Sequence, residues 1–94
     1  MKIQFTPRFE RSIKKLHPNE VLSLNQAIKA IANNPLDGEA KKGDLAGVRV
    51  YKYNHIQQQL LLAYLFDKAN DQIILMGHGS HENFYRDLKK QLTD

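Results

Sequence analysis

The stretch from Leu60 to Phe66 reads LLLAYLF and is the longest apolar run in the sequence. The run has the length of a strand and is far shorter than the ~18 residues that a membrane-spanning helix needs. Because consecutive positions are apolar, both faces of such a strand would be covered by other elements. The run therefore predicts the central strand of a sheet.

Three more strands are predicted around this run. Polar and apolar residues alternate at 2–5, which is typical of a short first strand, and they alternate again at 48–53. Residues 73–76 form a second apolar run of strand length. The polar stretches 54–58 and 68–71 separate these strands and predict turns.

Three helices are predicted from caps and from apolar residues at helical spacing. A first helix over 7–16 and a second over 18–33 each open with proline and carry an apolar stripe. Ser80 is a suitable cap for a third helix, in which the apolar stripe consists of Phe84, Leu88 and Leu92. Residues 36–47 show no periodicity and are predicted to form a loop.

The predicted order of elements is β-α-α-β-β-β-α, which indicates an α+β fold. We expect a twisted, mainly antiparallel sheet with a helical hairpin on one side and the last helix at its edge. A chain of 94 residues has room for one hydrophobic core, so residues 1–94 are predicted to form a single domain.

The composition narrows the class of partner. Fourteen Lys and Arg against ten Asp and Glu give a formal net charge of +4, which favours a polyanion such as a nucleic acid or an acidic protein. The sequence has no cysteine and opens without an apolar signal core. These features predict a cytoplasmic protein that does not associate with membranes.

Reactive side chains are most concentrated at residues 79–86, where the last strand passes into the last helix. A histidine in the first turn of a helix lies at the positive end of the helix dipole, which favours the neutral ring. His81 is therefore a candidate general base or acid, followed one turn later by Tyr85 and then by Arg86. A surface histidine without a chemical role is the alternative.

A second candidate surface is the row formed by Arg49, Tyr51 and Tyr53, which alternate along one strand face. A guanidinium binds phosphate oxygens and tyrosine rings stack on unpaired bases, so an open row would suit single-stranded RNA. The alternative is an amphipathic strand in which the tyrosines cover the core. Further cations that could extend the basic surface are Lys41, Lys42 and Lys52.

No metal or cofactor is predicted. The four histidines are not spaced as metal ligands, and the only cluster of histidine and carboxylate is His78, His81 and Glu82. The sequence also has no glycine-rich phosphate loop and no nucleotide-binding fingerprint.

Three segments carry a resemblance to a known family. Residues 44–50 (DLAGVRV), 62–64 (LAY) and 79–88 (GSHENFYRDL), in this order of elements, resemble the RelE/ParE superfamily of toxins from bacterial type II toxin–antitoxin systems. The last segment is most similar to the YafQ branch, whose toxins cleave mRNA on the ribosome. The resemblance covers the whole chain and implies a RelE-like fold.

The resemblance also implies roles for residues. It makes His81 the proton-transfer residue, Arg49 the cation for the phosphate and Tyr85 a second proton-transfer or stacking group, with Tyr51 orienting a base. The implied activity is that of a ribosome-dependent mRNA endoribonuclease that uses the ribose 2′-hydroxyl and no metal. The implied partner is a cognate antitoxin.

One alternative activity follows from the same resemblance. Toxins of the ParE branch act on DNA gyrase and do not cut RNA, so a gyrase inhibitor is the second hypothesis. Where RelE carries an arginine on its central strand, this sequence has Leu61.

Overall fold

The structure, a computed structural model, describes the backbone of residues 1–93 and the side chains of residues 1–80 and 84–92. Its helices and strands are β1 (Lys2–Phe5), α1 (Pro7–Ile13), α2 (Pro18–Asn33), β2 (Glu39–Ala40), β3 (Arg49–His55), β4 (Gln58–Asp67), β5 (Gln72–Gly79) and α3 (His81–Thr93). The predicted order is confirmed, and the structure adds the short β2 and a 3₁₀ turn at Gly43–Leu45 within the predicted loop.

The five strands form one sheet in the order β1-β5-β4-β3-β2. β1 runs parallel to β5, whereas the other three pairings are antiparallel. β4 contains the LLLAYLF run and lies third of five, with Leu62 and Tyr64 fully buried. The predicted α+β fold with a mainly antiparallel sheet and this run at its centre is confirmed.

Helices α1 and α2 cover one face of the sheet, called here the α1/α2 face. Phe9 of α1 is only 1% exposed and lies against the sheet together with buried residues of α2. The residues of this core are Phe9, Leu24, Ala27, Ile31, Leu62, Tyr64, Ile73 and Leu75. Burial of each large apolar side chain stabilises the fold by ~1.5–3 kcal/mol, so this core is what holds the helical hairpin on the sheet.

Helix α3 covers the opposite face, called here the α3 face. Phe84 and Leu88 are buried there, as their spacing predicted, whereas Leu92 is 42% exposed. Their partners in the sheet and the preceding loop are Leu45, Val48, Val50, Leu61, Ala63 and Met76. The expectation that the last helix lies at the edge of the sheet is therefore wrong, because the second apolar face of β4 needs cover and α3 provides it.

A β-bulge changes the face of the sheet on which the later side chains of β5 lie. Ala63 pairs with Gly77 and Tyr64 pairs with Leu75, so Met76 is an extra residue that has no pairing partner in β4. An extra residue reverses the alternation that follows it. His78 therefore lies on the same face as Leu75, where its ring packs edge-on against Phe9 at a centroid distance of 5.5 Å.

The helix starts agree with the sequence patterns. Thr6 caps α1 by accepting a hydrogen bond from the Phe9 amide at 3.2 Å, with Pro7 in the first helical position. The His17 amide donates to Glu20 Oε1 at 3.3 Å at the start of α2. Within residues 1–93, no helix has both the length and the apolar character that crossing a membrane requires.

Tyr64 fixes the loop after α2 to the sheet. Its buried hydroxyl accepts a hydrogen bond from the Gly38 amide at 2.9 Å and donates one to the Pro35 carbonyl at 2.7 Å. The guanidinium of Arg49, which pairs with Tyr64 across the strands, donates to the carbonyls of Leu36 at 3.2 Å and Gly38 at 2.8 Å. The loop is thus held by two side chains of the central strands.

Gly38→Ala is expected to lower the free energy of unfolding by about 1–3 kcal/mol, because a β-carbon there would force the packed loop to move. That carbon would lie 2.5 Å from the Tyr64 hydroxyl oxygen. Urea denaturation measures the loss. Gly77→Ala is the matched control, since nothing lies within 4 Å of a β-carbon built at Gly77. Equal stability of the two variants would contradict the prediction.

Candidate functional site

The structure distributes the predicted site residues over both faces of the sheet. On the α1/α2 face lie Arg49, Tyr51 and Tyr53. On the α3 face lie Lys41, Lys52 and Tyr85. The thickness of the sheet separates the two sets, so a ligand on one face cannot contact both.

The row of Arg49, Tyr51 and Tyr53 does not lie on an open face. Both tyrosines pack against the core under α1 and α2, and Arg49 is bonded to the loop carbonyls. The expectation of an open sheet face at this row is wrong, because α2 requires apolar cover and the two rings provide it. The packing corresponds to the alternative interpretation, an amphipathic strand that covers the core.

Charged and aromatic side chains meet on the α3 face where β2, β3 and α3 come together. Lys41 Nζ lies 2.9 Å from Glu39 Oε1 and 5.3 Å from the centre of the Tyr85 ring. Glu39 pairs with Val50 across the strands, and the charge of Lys52 acts on its carboxylate. This set of Glu39, Lys41, Lys52 and Tyr85 is called here the α3 cleft.

Interactions within the α3 cleft keep Glu39 and Lys41 in their charged forms. The hydrogen bond to Glu39, followed by one to the Tyr85 hydroxyl, raises the pKa of Lys41 above its ordinary value. The same bond to Lys41 lowers the pKa of Glu39. Both groups are therefore ionised at neutral pH, and the ammonium of Lys41 remains beside the tyrosine.

The remaining predicted residues are at or near α3 and the 3₁₀ turn. His81 is the first residue of α3, four positions before Tyr85, and its side chain lies outside the described residues. Arg86 is exposed, with Nε 3.9 Å from Asp87 Oδ1. Lys42 is exposed at the start of the 3₁₀ turn. The charges of both cations face solvent.

His78 is a functional candidate that the sequence interpretation did not single out. Its Nε2 lies 3.0 Å from Ser12 Oγ, and Ser12 Oγ donates its only proton to the Phe9 carbonyl at 2.7 Å. His78 Nε2 must then carry the hydrogen, which leaves the lone pair on Nδ1. Burial lowers the pKa of His78, so the ring is neutral at neutral pH.

The described side chains form no group of three histidine, cysteine, aspartate or glutamate residues that could hold a metal ion. In the α3 cleft the only carboxylate is Glu39, and it is already bonded to an ammonium. The chemistry that this cleft offers is therefore proton transfer and binding of anions.

Comparison with known families assigns the chain. The sequence matches the family of ParE-like toxins of type II bacterial toxin–antitoxin systems over residues 3–89. The match spans nearly the whole chain, so this protein belongs to that family. The predicted membership of the RelE/ParE superfamily is confirmed. No curated protein matches the sequence.

Solved structures share the fold at low sequence identity. The isolated E. coli RelE toxin is 15% identical, with a TM-score of 0.70 over 97% of each chain. A chain of the intact E. coli RelBE toxin–antitoxin complex is 15% identical in sequence, with a TM-score of 0.70. The match covers 86% of this chain and 96% of that chain. A conserved hypothetical protein from Helicobacter pylori is 18% identical in sequence, with a TM-score of 0.51. The match covers 86% of this chain and 94% of that chain. The RelE-like fold that the sequence predicted is thus confirmed.

Proposed function

We propose that this toxin is an endoribonuclease that cleaves mRNA on the ribosome and thereby inhibits translation. The observation that carries the proposal is the α3 cleft, in which Lys41 is held beside Tyr85 one helical turn beyond the position of His81. Metal-free cleavage of RNA requires a base, an acid and a cation, and a histidine, a tyrosine and a lysine can fill these roles. The RelE-like fold supports the same activity.

The proposed reaction is an internal phosphoryl transfer. The 2′-oxygen of the ribose forms a bond to the adjacent phosphorus while the bond from phosphorus to the 5′-oxygen breaks. The 2′-hydroxyl loses its proton to a base, and the leaving 5′-oxygen gains a proton from an acid. The products are a 2′,3′-cyclic phosphate and a 5′-hydroxyl, so no water and no metal enters the step.

His81 and residues of the α3 cleft take the roles that this reaction needs. His81 transfers the proton, and Tyr85 is the second proton-transfer or stacking group. Lys41 and Lys52 replace Arg49 as the cations for the charged phosphate, because the Arg49 guanidinium is bonded to Leu36 and Gly38 on the other face. The ribosome supplies the positioning of the substrate, which so small a site provides only in part.

Expression of the toxin without an antitoxin tests the proposal. If the protein is an mRNA endoribonuclease, growth stops and new 5′ ends appear within translated frames of cellular mRNA. A variant with Lys41 and Lys52 both changed to Gln is expected to cut less, whereas Lys89→Gln, an exposed lysine further along α3, is the matched control. Growth arrest without new mRNA ends would reject the nuclease.

A gyrase inhibitor is the second candidate, and one observation favours it. Leu61, at the position where the resemblance to RelE expects an arginine, is 1% exposed and pairs with Lys52 beside the α3 cleft. The central strand thus adds no cation to the cleft. A gyrase inhibitor would damage DNA without cutting RNA, and His81→Ala would leave its toxicity intact.

We also propose that the partner of this toxin is an acidic antitoxin segment. The net charge is +4, and a row of exposed cations on and after α1 consists of Arg8, Arg11, Lys14 and Lys15. The structures of the RelBE complex and of a RelE mutant with a RelB peptide describe toxins of this fold bound to antitoxin.

Binding of the antitoxin is expected to slow as salt rises, since screening confines forces between surface charges to about 8 Å at 0.15 M. Stopped-flow mixing of toxin and antitoxin measures the association rate. Changing Arg11 and Lys14 to Gln should flatten the salt dependence, with Lys29→Gln on α2 as the control. An association rate that is equal at low and high salt would contradict charge steering.

A further inference from the structure

A cavity on the α1/α2 face lies where β5 leads into α3, and it shares no residue with the α3 cleft. Its volume is about 230 Å³, and its polar lining consists of Glu20, Tyr53, Gln58, His78 and Ser80. Sites for whole small molecules usually enclose ~300–1,000 Å³. The cavity therefore has the size for one long side chain of a partner rather than for a cofactor or a nucleotide.

Glu20 gives this cavity its charge. It is the only charged residue of the lining, and its carboxylate acts on both the Tyr53 hydroxyl and the His78 ring. The carboxylate accepts one hydrogen bond, from the His17 amide to Oε1 at 3.3 Å. Among the described residues, no ammonium or guanidinium forms an ion pair with it. Since a carboxylate has about four acceptor positions, several remain for a cationic ligand.

The other polar groups of the cavity can also interact with a cation. Nε2 of His78 carries the ring hydrogen and is bonded to Ser12 at 3.0 Å, so Nδ1 is an acceptor. Gln58 and Ser80 each have a side-chain oxygen that accepts, and the ring of Tyr53 attracts cations to its face. A cation thus interacts favourably with every polar group here, whereas an anion is repelled by Glu20 and a neutral ligand leaves the charge of Glu20 unpaired.

Among cations, a guanidinium fits this cavity better than an ammonium. It is planar, carries five N–H donors, pairs with a carboxylate through two parallel bonds and stacks on aromatic rings. Leu16 and Leu60 add apolar surface to the lining, along which the methylene groups of an arginine can pack. The side chain of arginine therefore matches the cavity in charge, hydrogen bonding and apolar contact.

The surface beside the cavity selects against free polycations. Lys14 and Lys15 are exposed and directly precede Leu16 in the chain, and Arg11 is exposed about one turn earlier. These charges repel a free polyamine but attract an acidic segment. An arginine embedded in an acidic segment suits both the negative cavity and the positive surface beside it.

We propose that this cavity binds the guanidinium of one arginine of the antitoxin, which carries that arginine within an otherwise acidic segment. The inference rests on the proposed acidic antitoxin as partner. Acidic residues of the segment contact the cations of α1, and the arginine fixes the position of the segment along them. An antitoxin without an arginine at that position leaves Glu20 unpaired beneath the segment, so the cavity selects the cognate antitoxin.

Titration of the intact toxin with N-acetyl-arginine amide tests the cavity without the antitoxin. The NMR signals of the His78 and Tyr53 rings should shift, whereas the matching citrulline amide, in which a neutral urea replaces the guanidinium, should leave them unchanged. Glu20→Gln keeps the start of α2, because glutamine also fits the capping box, and should remove the shifts. Glu10→Gln, an exposed residue of α1, is the control with the same change in net charge.

Three results of this titration would overturn the proposal. They are unshifted rings in the native toxin, shifts that persist in Glu20→Gln, and shifts that spermidine produces at a lower concentration than the arginine probe. The last result would assign the cavity to a free polyamine.

The complex with the antitoxin tests the occupant. Each arginine of the antitoxin is changed to Gln in turn, and binding is measured to the native toxin, to Glu20→Gln and to the Glu10→Gln control. One of these changes should weaken binding to the native toxin ~10- to 150-fold but weaken binding to Glu20→Gln only slightly, because that variant has already lost the pair. Additive effects at every arginine would contradict the proposal.

Two results separate this inference from the antitoxin proposal on which it rests. If all effects are additive while association still slows with salt, the cavity holds no arginine and the acidic antitoxin stands. If one arginine is coupled to Glu20 while association does not depend on salt, the arginine site stands and charge steering fails.

Discussion

His81→Ala is expected to slow RNA cleavage ~10²- to 10⁴-fold, because it removes the group that moves the proton in the transition state. The residue is the first of α3, and it is the histidine that the sequence predicts for proton transfer. The measurement is the initial rate of cleavage of mRNA bound to ribosomes at saturating toxin, with circular dichroism to verify the fold.

His17→Ser is the matched control for this histidine. His17 is exposed at the start of α2, and serine is a preferred residue at that position, so the fold should be kept. We expect the His17 variant to cleave at the normal rate. Full activity in a folded His81→Ala variant would exclude His81 from the reaction.

An RNA with a 2′-methoxy group at the cut site is expected not to be cleaved at all. Because the proposed nucleophile is the 2′-hydroxyl, the methyl group leaves no oxygen that can attack the phosphorus. The experiment compares two mRNAs of one sequence on the ribosome, one with the methoxy group at the cut site and the other with it several codons away. Only the second should be cut.

The ends of the products give an independent test of the same mechanism. Attack by the 2′-hydroxyl leaves a 2′,3′-cyclic phosphate and a 5′-hydroxyl, whereas hydrolysis by a metal-bound water usually leaves a 5′-phosphate and a 3′-hydroxyl. Cleavage of the methoxy RNA, or 5′-phosphate ends, would overturn the roles proposed for His81 and Tyr85. Chelation is a poorer test, because removal of Mg²⁺ also disrupts the ribosome.

The elements themselves could be predicted because their signals are local. The cap at Thr6 and the prolines that open α1 and α2 act within one helical turn, and the structure has both helices where these residues indicate. The LLLAYLF run predicted a central strand because only a strand buried on both faces tolerates so many consecutive apolar residues. These features depend on neighbours in the chain alone.

The site was predicted less well, because its residues are brought together by distant segments. No local pattern points to Glu39, since its contacts depend on the pairing of β2 with β3, which places it beside Lys41 and Lys52. A charged residue in a glycine-rich loop gives no signal of that pairing. No local pattern predicts the surroundings of His78 either, since its contacts with Ser12 and Phe9 depend on the bulge in β5 and on the continuation of that strand to Gly79.

The sequence by itself determined the α+β class, the order of the main elements and the residues that share a face of β3, because periods of 2 and 3.6 depend only on backbone geometry. Tertiary structure decided which face is covered by which helix. Alternation groups Arg49 with Tyr51 and Tyr53, but only the packing of α2 turns that face inward. Likewise, the bulge at Met76 reverses the alternation and turns His78 toward Phe9, since the extra residue is defined by pairing with β4.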